Sequence, residues 1–166
     1  MSPEEARAIL GAVGRSPVLV LQALRAYVGL SDFTLSSVVG RSAQSVRRWR
    51  NSDVAADIPD AAAVAIEDLR AIVAMLVEAD YSGDSIKSFL RSRNTGLGRD
   101  RPLDGVRVGV GAFRKVEHVT ECFIAGIAPE AGPALTTRGG ARLEAAAEPP
   151  VQKEPDLPRR SAGGRR

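Results

Sequence analysis

Cysteine and histidine are almost missing from this chain. Among its 166 residues there is one of each, Cys122 and His118. A lone cysteine excludes an intrachain disulfide. His118 and Cys122 stand one helical turn apart, a metal-ligand spacing, but a zinc site needs three or four ligands and the sequence offers no other His or Cys. The pair reads instead as a partly exposed helix residue and a small buried apolar one. A single histidine also lacks the partners of a Cys–His or Ser–His–Asp group. No cofactor is expected, and an enzyme is the least favoured class. No run of about 18 apolar residues occurs, so no membrane span is expected. The first residues lack a charged segment leading into an apolar core, so a signal peptide is not expected and the chain reads as cytoplasmic.

Acidic residues are missing from one place in particular. Net charge is only +3, yet Arg41 to Arg50 holds Arg41, Arg47, Arg48 and Arg50 and no carboxylate. A local stripe of one sign says more about nucleic acid than the total does.

What is present is helical periodicity. Ser2-Pro3-Glu4-Glu5 supplies a cap, a proline at the first helical position and acids in the first turn, and Gly11, Gly14 and Pro17 end that segment. Val18 to Val28 carries Leu21, Leu24 and Val28 on one stripe. Ser31-Asp32 caps the next helix. Asp57-Ile58-Pro59-Asp60 breaks the chain and opens a long helix to about Glu78, striped by Ala62, Ile66, Leu69, Ile72, Val73 and Leu76. That stripe is most simply core, with a dimer seam as its alternative. Ser82-Gly83-Asp84 opens a helix with Ile86, Phe89 and Leu90. Asn94 to Gly98 is a turn, Pro102 opens a short helix to about Val108, and a last helix runs from about Ala112 to Ala125 with Phe113, Val116, Val119, Thr120 and Phe123 inward. The strand-like run Val106 to Val110 is interrupted or flanked by Gly105, Gly109 and Gly111, which argues against a strand. Gly96-x-Gly98 and Gly109-x-Gly111 are fragments of phosphate-loop patterns, but with no leading strand and no Gly-Lys-Ser/Thr they read as turns. Residues 129 to 166 are rich in Pro, Gly, Ala and Arg and have too few large apolar residues to offset their ordering entropy, so disorder is expected there. The tail arginines read as solubilising charge, with nonspecific phosphate contact as the alternative.

The segment Thr34 to Asn51, TLSSVVGRSAQSVRRWRN, has the layout of a helix-turn-helix: two short helices meeting at Gly40, with Ser36 as the small contact residue. Leu35 and Val39 face inward from the first helix, Val46 and Trp49 from the second. Glycine tolerates the positive φ that such a turn often demands. Facing out are Ser42, Ala43, Gln44, Ser45, Arg47 and Arg48, with Asn51 at the end. Arginine pairs bidentately with guanine, glutamine with adenine, and serine with phosphate, so Ser42, Gln44, Ser45, Arg47, Arg48 and Asn51 form the candidate DNA face. The competing account is a packed helical corner whose arginines are a solvated surface. Arg41 occupies a position that is usually aliphatic in such motifs, which loosens the seam.

A second set of motifs lies downstream: Ile86-Lys-Ser-Phe-Leu90, Asn94-Thr-Gly-Leu-Gly98, Arg101-Pro-Leu-Asp104 and Gly109-Val-Gly-Ala-Phe-Arg-Lys-Val116. In this order, after a helix-turn-helix, they resemble the toxin-binding domain of the Xre/MbcA/ParS-type antitoxins, over about residues 18 to 127. The chain departs from that pattern at Arg99, where a second turn glycine is usual, and at Phe89, where Trp is common. The resemblance implies an antitoxin that binds a RES-domain toxin, an NAD-degrading enzyme, blocks its active site with the C-terminal domain and represses its own operon. Asn94, Gly98 and Pro102 are better explained individually as fold determinants. Exposed Arg107, Arg114 and Lys115 are the candidate partner contacts, acting by steric plugging and charge pairing.

The expectation is therefore an all-α protein. Residues 1–57 form a helix-turn-helix domain, 58–128 a helical toxin-binding domain and 129–166 a disordered tail. The expected partners are a RES-domain toxin, operator DNA and a second copy of the chain as a homodimer. A stand-alone helix-turn-helix regulator without a toxin is the alternative, and a protein-interaction module that no longer binds DNA is the third reading.

Overall fold

Serine hydroxyls set where half of the helices begin. In a computed structural model that describes residues 1–52 and 57–127, Ser2, Ser31, Ser42 and Ser82 cap α1 (Pro3–Gly11), α3 (Asp32–Val39), α4 (Ala43–Arg50) and α6 (Gly83–Arg91). Each Oγ accepts the amide three residues on, at 3.1 to 3.3 Å, an interaction worth about 1 kcal/mol. At α1, Glu5 reaches back to the Ser2 amide and completes a capping box. Proline fills the first helical position of α2 (Pro17–Ala23) and α7 (Pro102–Gly105), where its missing N–H costs nothing. α5 (Asp60–Glu78) and α8 (Phe113–Ile124) lack a side-chain cap. At α5 neither Asp57 nor Asp60 caps; the Pro59 carbonyl accepts the Ala62 and Ala63 amides instead. All secondary structure among the described residues is helical, and Val106–Val110 is not a strand.

α5 organises the packing. Its apolar stripe is buried along its whole length, with Ala62, Ile66, Leu69, Ile72, Val73 and Leu76 each 2% exposed or less, and it packs against α1, α2, α3 and α8. The stripe is consumed within the chain, so it leaves no seam for a second copy. Arg70 joins this buried face. Its Nε donates to both oxygens of Glu67 at 2.9 Å and its Nη1 donates to the Leu10 carbonyl at 2.8 Å, so α5 caps the end of α1. The boundary expected near residue 57 does not interrupt the core: one buried cluster runs from Ala6 through Trp49 and Ile66 to Val119.

Three local departures follow from backbone demands. The helix expected over Val18–Val28 is α-helical only to Ala23 and then widens into a π-turn, Leu24–Val28, ending at Gly29 with φ +71°. Against that turn sits Gly83, where a Cβ would overlap the Tyr27 carbonyl oxygen. The short helix expected to reach Val108 stops at Gly105, and the chain continues to α8 as a loop. Phe123, expected inward, is 39% exposed, although its ring stacks on Phe89 and Tyr81 with centroids 4.6 and 5.2 Å apart. The disorder expected over 129–166 falls outside the described residues.

Candidate nucleic-acid interface

The corner between α3 and α4 is held from both sides. Gly40 ends α3 with φ +64°, and its amide and that of Arg41 both donate to the Ser36 carbonyl. Leu35, Val38 and Val39 from α3 and Val46 and Trp49 from α4 are buried, none more than 3% exposed. α4 packs on α3 and α2, and Gln22 Nε2 donates to the Arg50 carbonyl at 2.8 Å, fixing the far end of the helix. The Trp49 indole N–H is buried without a hydrogen-bond partner among the described residues.

This anchoring leaves the opposite side of α4 open. Gln44, Arg47, Arg48 and Asn51 are exposed, and their spacing of three and four residues puts them on one helical face. Among the described residues Arg47 and Arg48 enter no ion pair. Ser42 and Ser45 lie at the N-terminal edge and are partly engaged: Ser42 Oγ takes the Ser45 amide and sits 3.0 Å from Ser45 Oγ. An open depression borders the face, and its described lining is Ser42, Gln44, Ser45, Arg47, Arg48 and Asn51. The structure thus brings together the six residues singled out in the sequence.

Arg50 behaves differently. Its Nη2 donates to Asp32 Oδ2 at 3.2 Å, and its Nε lies 3.2 Å from Oδ1. The second approach is a charge contact and not an aligned hydrogen bond, because neither Nε nor Oδ1 has a hydrogen-bond partner among the described residues. Both side chains are about one-fifth exposed. This pair ties the end of α4 to the start of α3 and takes Arg50 out of the outer face. Cations in the last turn also favour the carbonyl end of a helix, which accounts for part of the arginine content without any ligand.

The second candidate set is scattered in character. Arg107, on the loop between α7 and α8, and Lys115, in the first turn of α8, are exposed and unpaired among the described residues. Arg114 is exposed but its Nη1 donates to Glu117 Oε2 at 2.8 Å, which holds the guanidinium pKa above its ordinary value. The upstream motif residues serve the backbone. Asn94 Oδ1 accepts the Gly96 amide at 2.9 Å, its carbonyl accepts the Leu97 and Arg99 amides, and its amide donates to the Asp100 carbonyl. Gly98 takes φ +66°, Arg99 follows at φ +75°, and Pro102 is buried at the start of α7.

Cys122 Sγ lies 3.7 Å from His118 Nε2. Cys122 is half-buried and not buried as expected, because Val116, Val119 and Thr120 occupy the inner face of α8. No group of three potential metal ligands occurs among the described residues, and no helix there is long and apolar enough to cross a membrane. One positional fact has no sequence signature. The Val108 amide donates to the Val38 carbonyl at 2.9 Å, so the α7–α8 loop is docked on the end of α3. No family model, curated protein or solved structure matches this chain.

Proposed function

We propose that α3 and α4 form a helix-turn-helix that binds duplex DNA, with α4 as the helix entering the major groove. The observation that carries this reading is the outer face of α4: Gln44, Arg47, Arg48 and Asn51 are exposed together, and among the described residues both arginines are without an acid partner. The two open guanidinium groups are adjacent on a helix that carries no carboxylate, while a third, Arg50, is tied to Asp32. Arginine and glutamine in this position read guanine and adenine edges, and the serines at the N-terminal edge suit phosphate. A homodimer on a two-fold operator is the matching assembly.

In the same reading the chain is an antitoxin that represses its own operon and neutralises a RES-domain toxin, with Arg107, Arg114 and Lys115 as candidate toxin contacts. What supports the toxin half is the order of motifs from Ile86 to Val116. A stand-alone regulator is the alternative, favoured by the fact that Asn94, Gly98 and Pro102 are fully occupied in building the turn before α7.

The DNA half is tested by a gel shift with the duplex upstream of the chain's own gene. Replacing both arginines (Arg47→Ala with Arg48→Ala) is expected to weaken the shift and lower the slope of log K against log salt by about two; an unchanged shift moves DNA binding away from α4. The toxin half is tested by co-expression with an adjacent gene encoding a RES domain. Growth arrest that persists with this protein in excess leaves the stand-alone regulator.

A further inference from the structure

We infer that the loop between α7 and α8 is a second duplex-contacting element, gripping the phosphate backbone beside the α3–α4 corner through Arg107. This rests on the reading of α4 as a DNA-binding helix, and it assigns Arg107 to the duplex, leaving Arg114 and Lys115 as the candidate toxin contacts.

Two stretches far apart in sequence carry cations and no acid. Residues 33–52 contain Arg41, Arg47, Arg48 and Arg50 without a carboxylate, and residues 105–116 contain Arg107, Arg114 and Lys115 without one. The fold joins them at a single point. The last carbonyls of α3 lack partners within their own helix, and the Val38 carbonyl is satisfied by the Val108 amide at 2.9 Å. The Val108 side chain also lies close to the turn, since a Cβ placed on Gly40 would be 3.8 Å from Val108 Cβ. The loop is therefore seated on the turn that aims α4.

Its anchoring is one-sided. Val106 is 2% exposed and belongs to the core, whereas Val108 and Val110 are 39% and 51% exposed. Gly109 and Gly111 take φ +81° and +64° and reverse the chain with no side chain in the way. Arg107 stands between the buried Val106 and the docked Val108, and its Cα is about 3.8 Å from that of Val108. It is exposed and enters no ion pair among the described residues. Arg41, on the α3–α4 turn itself, is exposed and unpaired in the same way. The turn thus carries Arg41 and the loop docked on it carries Arg107, while the cations of the α4 face lie on the helix that follows. A polyanion with regularly spaced charges is the ligand this distribution fits. Phosphate contacts of this kind fix register and orientation without reading sequence.

The test is a salt titration of fluorescence anisotropy with the full chain, on the upstream duplex and on a scrambled duplex. Arg107→Gln is expected to lower the salt slope by about one on both duplexes, so that affinity falls about threefold less between 50 and 200 mM salt, and to leave the ratio between duplexes unchanged. Arg93→Gln, which removes a charge that is also exposed and enters no ion pair among the described residues, is expected to leave the slope at the wild-type value. Val108→Pro deletes the N–H that holds the loop on α3 and is expected to reproduce the loss of slope with Arg107 present and helical circular dichroism intact. A slope unchanged in Arg107→Gln, or lowered equally in Arg93→Gln, overturns the loop assignment and leaves the α4 reading standing. A wild-type chain that binds neither duplex overturns both.

Discussion

Helices α4 and α8 both carry adjacent cations, and they dispose of them differently. On α8, Arg114 donates to Glu117 three residues along the same helix. Just upstream, Arg101 pairs with Asp104 at the same spacing. Such pairs are solvated and contribute a few tenths of a kcal/mol; they quiet the surface. On α4 the only arginine paired among the described residues is Arg50, and its partner comes from another helix. Arg47 and Arg48 remain open. Among the described residues α8 ties Arg114 within the helix and leaves Lys115 open, whereas α4 holds two adjacent open arginines on a face that carries no acid. Chemistry aimed at a polyanion centres on that face.

The largest way to break that contrast is to remove what aims α4. Trp49→Ala should lower the unfolding free energy by about 3–5 kcal/mol, because it empties a buried aromatic site, read as a fall in the urea midpoint. Trp49→Phe should cost much less, since the indole N–H it deletes has no partner among the described residues. Equal losses in the two variants would mean that the N–H is bonded in solution and that the seam is built differently.

A sharper comparison lies within α4 itself. Arg50→Ala leaves Asp32 partly buried without its counter-charge, for a loss of about 1–3 kcal/mol. Arg48→Ala, on the outer face, should change stability by less than about 0.5 kcal/mol. Denaturant titration of the two single variants decides it. A destabilising Arg48→Ala would mean that this arginine serves the fold, and the argument for a free cationic face would lose its main support.

Much of this was legible because serine, proline and glycine punctuate the chain. Ser31, Ser42 and Gly40 fix the bounds of α3 and α4, and the apolar spacing puts Leu35, Val39, Val46 and Trp49 inside. With those inward residues assigned, the outer face follows from helical geometry. What was not legible depends on contacts between distant segments. The sequence shows Arg50 as one more member of a basic run; only the approach of Asp32 sets it apart. Arg70 sits on an apolar stripe, and its role as a cap for α1 depends on where the Leu10 carbonyl ends up. The docking of Val108 on Val38 is a backbone bond, to which side-chain patterning is blind. The π-turn at Leu24–Val28 sits where Gly83 lets α6 approach the Tyr27 carbonyl, which helical periodicity alone does not foretell.

A smaller effect is expected where the chain departs from the motif it resembles. Arg99 occupies left-handed backbone at φ +75° immediately after Gly98 at +66°. That conformation costs a side-chain-bearing residue about 1–2 kcal/mol, and glycine gives back about 0.5–1 kcal/mol through its greater freedom in the unfolded chain. Arg99→Gly should therefore stabilise by up to about 1.5 kcal/mol, seen as a rise in Tm. A fall would mean that the Arg99 side chain makes a stabilising contact that outweighs the strain.

The smallest expected effect concerns Asp68 on α5, a carboxylate that enters no ion pair among the described residues. Burial raises its pKa above the ordinary value of 3.8, and the neighbouring carboxylate of Glu67 adds to the shift. The folded chain therefore holds this proton to a higher pH than the unfolded chain does. With more protons bound in the folded state, stability falls as pH rises through the window above 3.8, and the penalty persists at neutral pH. Asp68→Asn removes the titration without removing the side chain's shape. Its unfolding free energy should exceed that of the wild type at pH 7, and the difference should shrink as pH is lowered through that window. Urea titrations at pH 7 and at stepwise lower pH measure the difference directly. A wild-type advantage at neutral pH would show that the Asp68 carboxylate has a stabilising partner in solution.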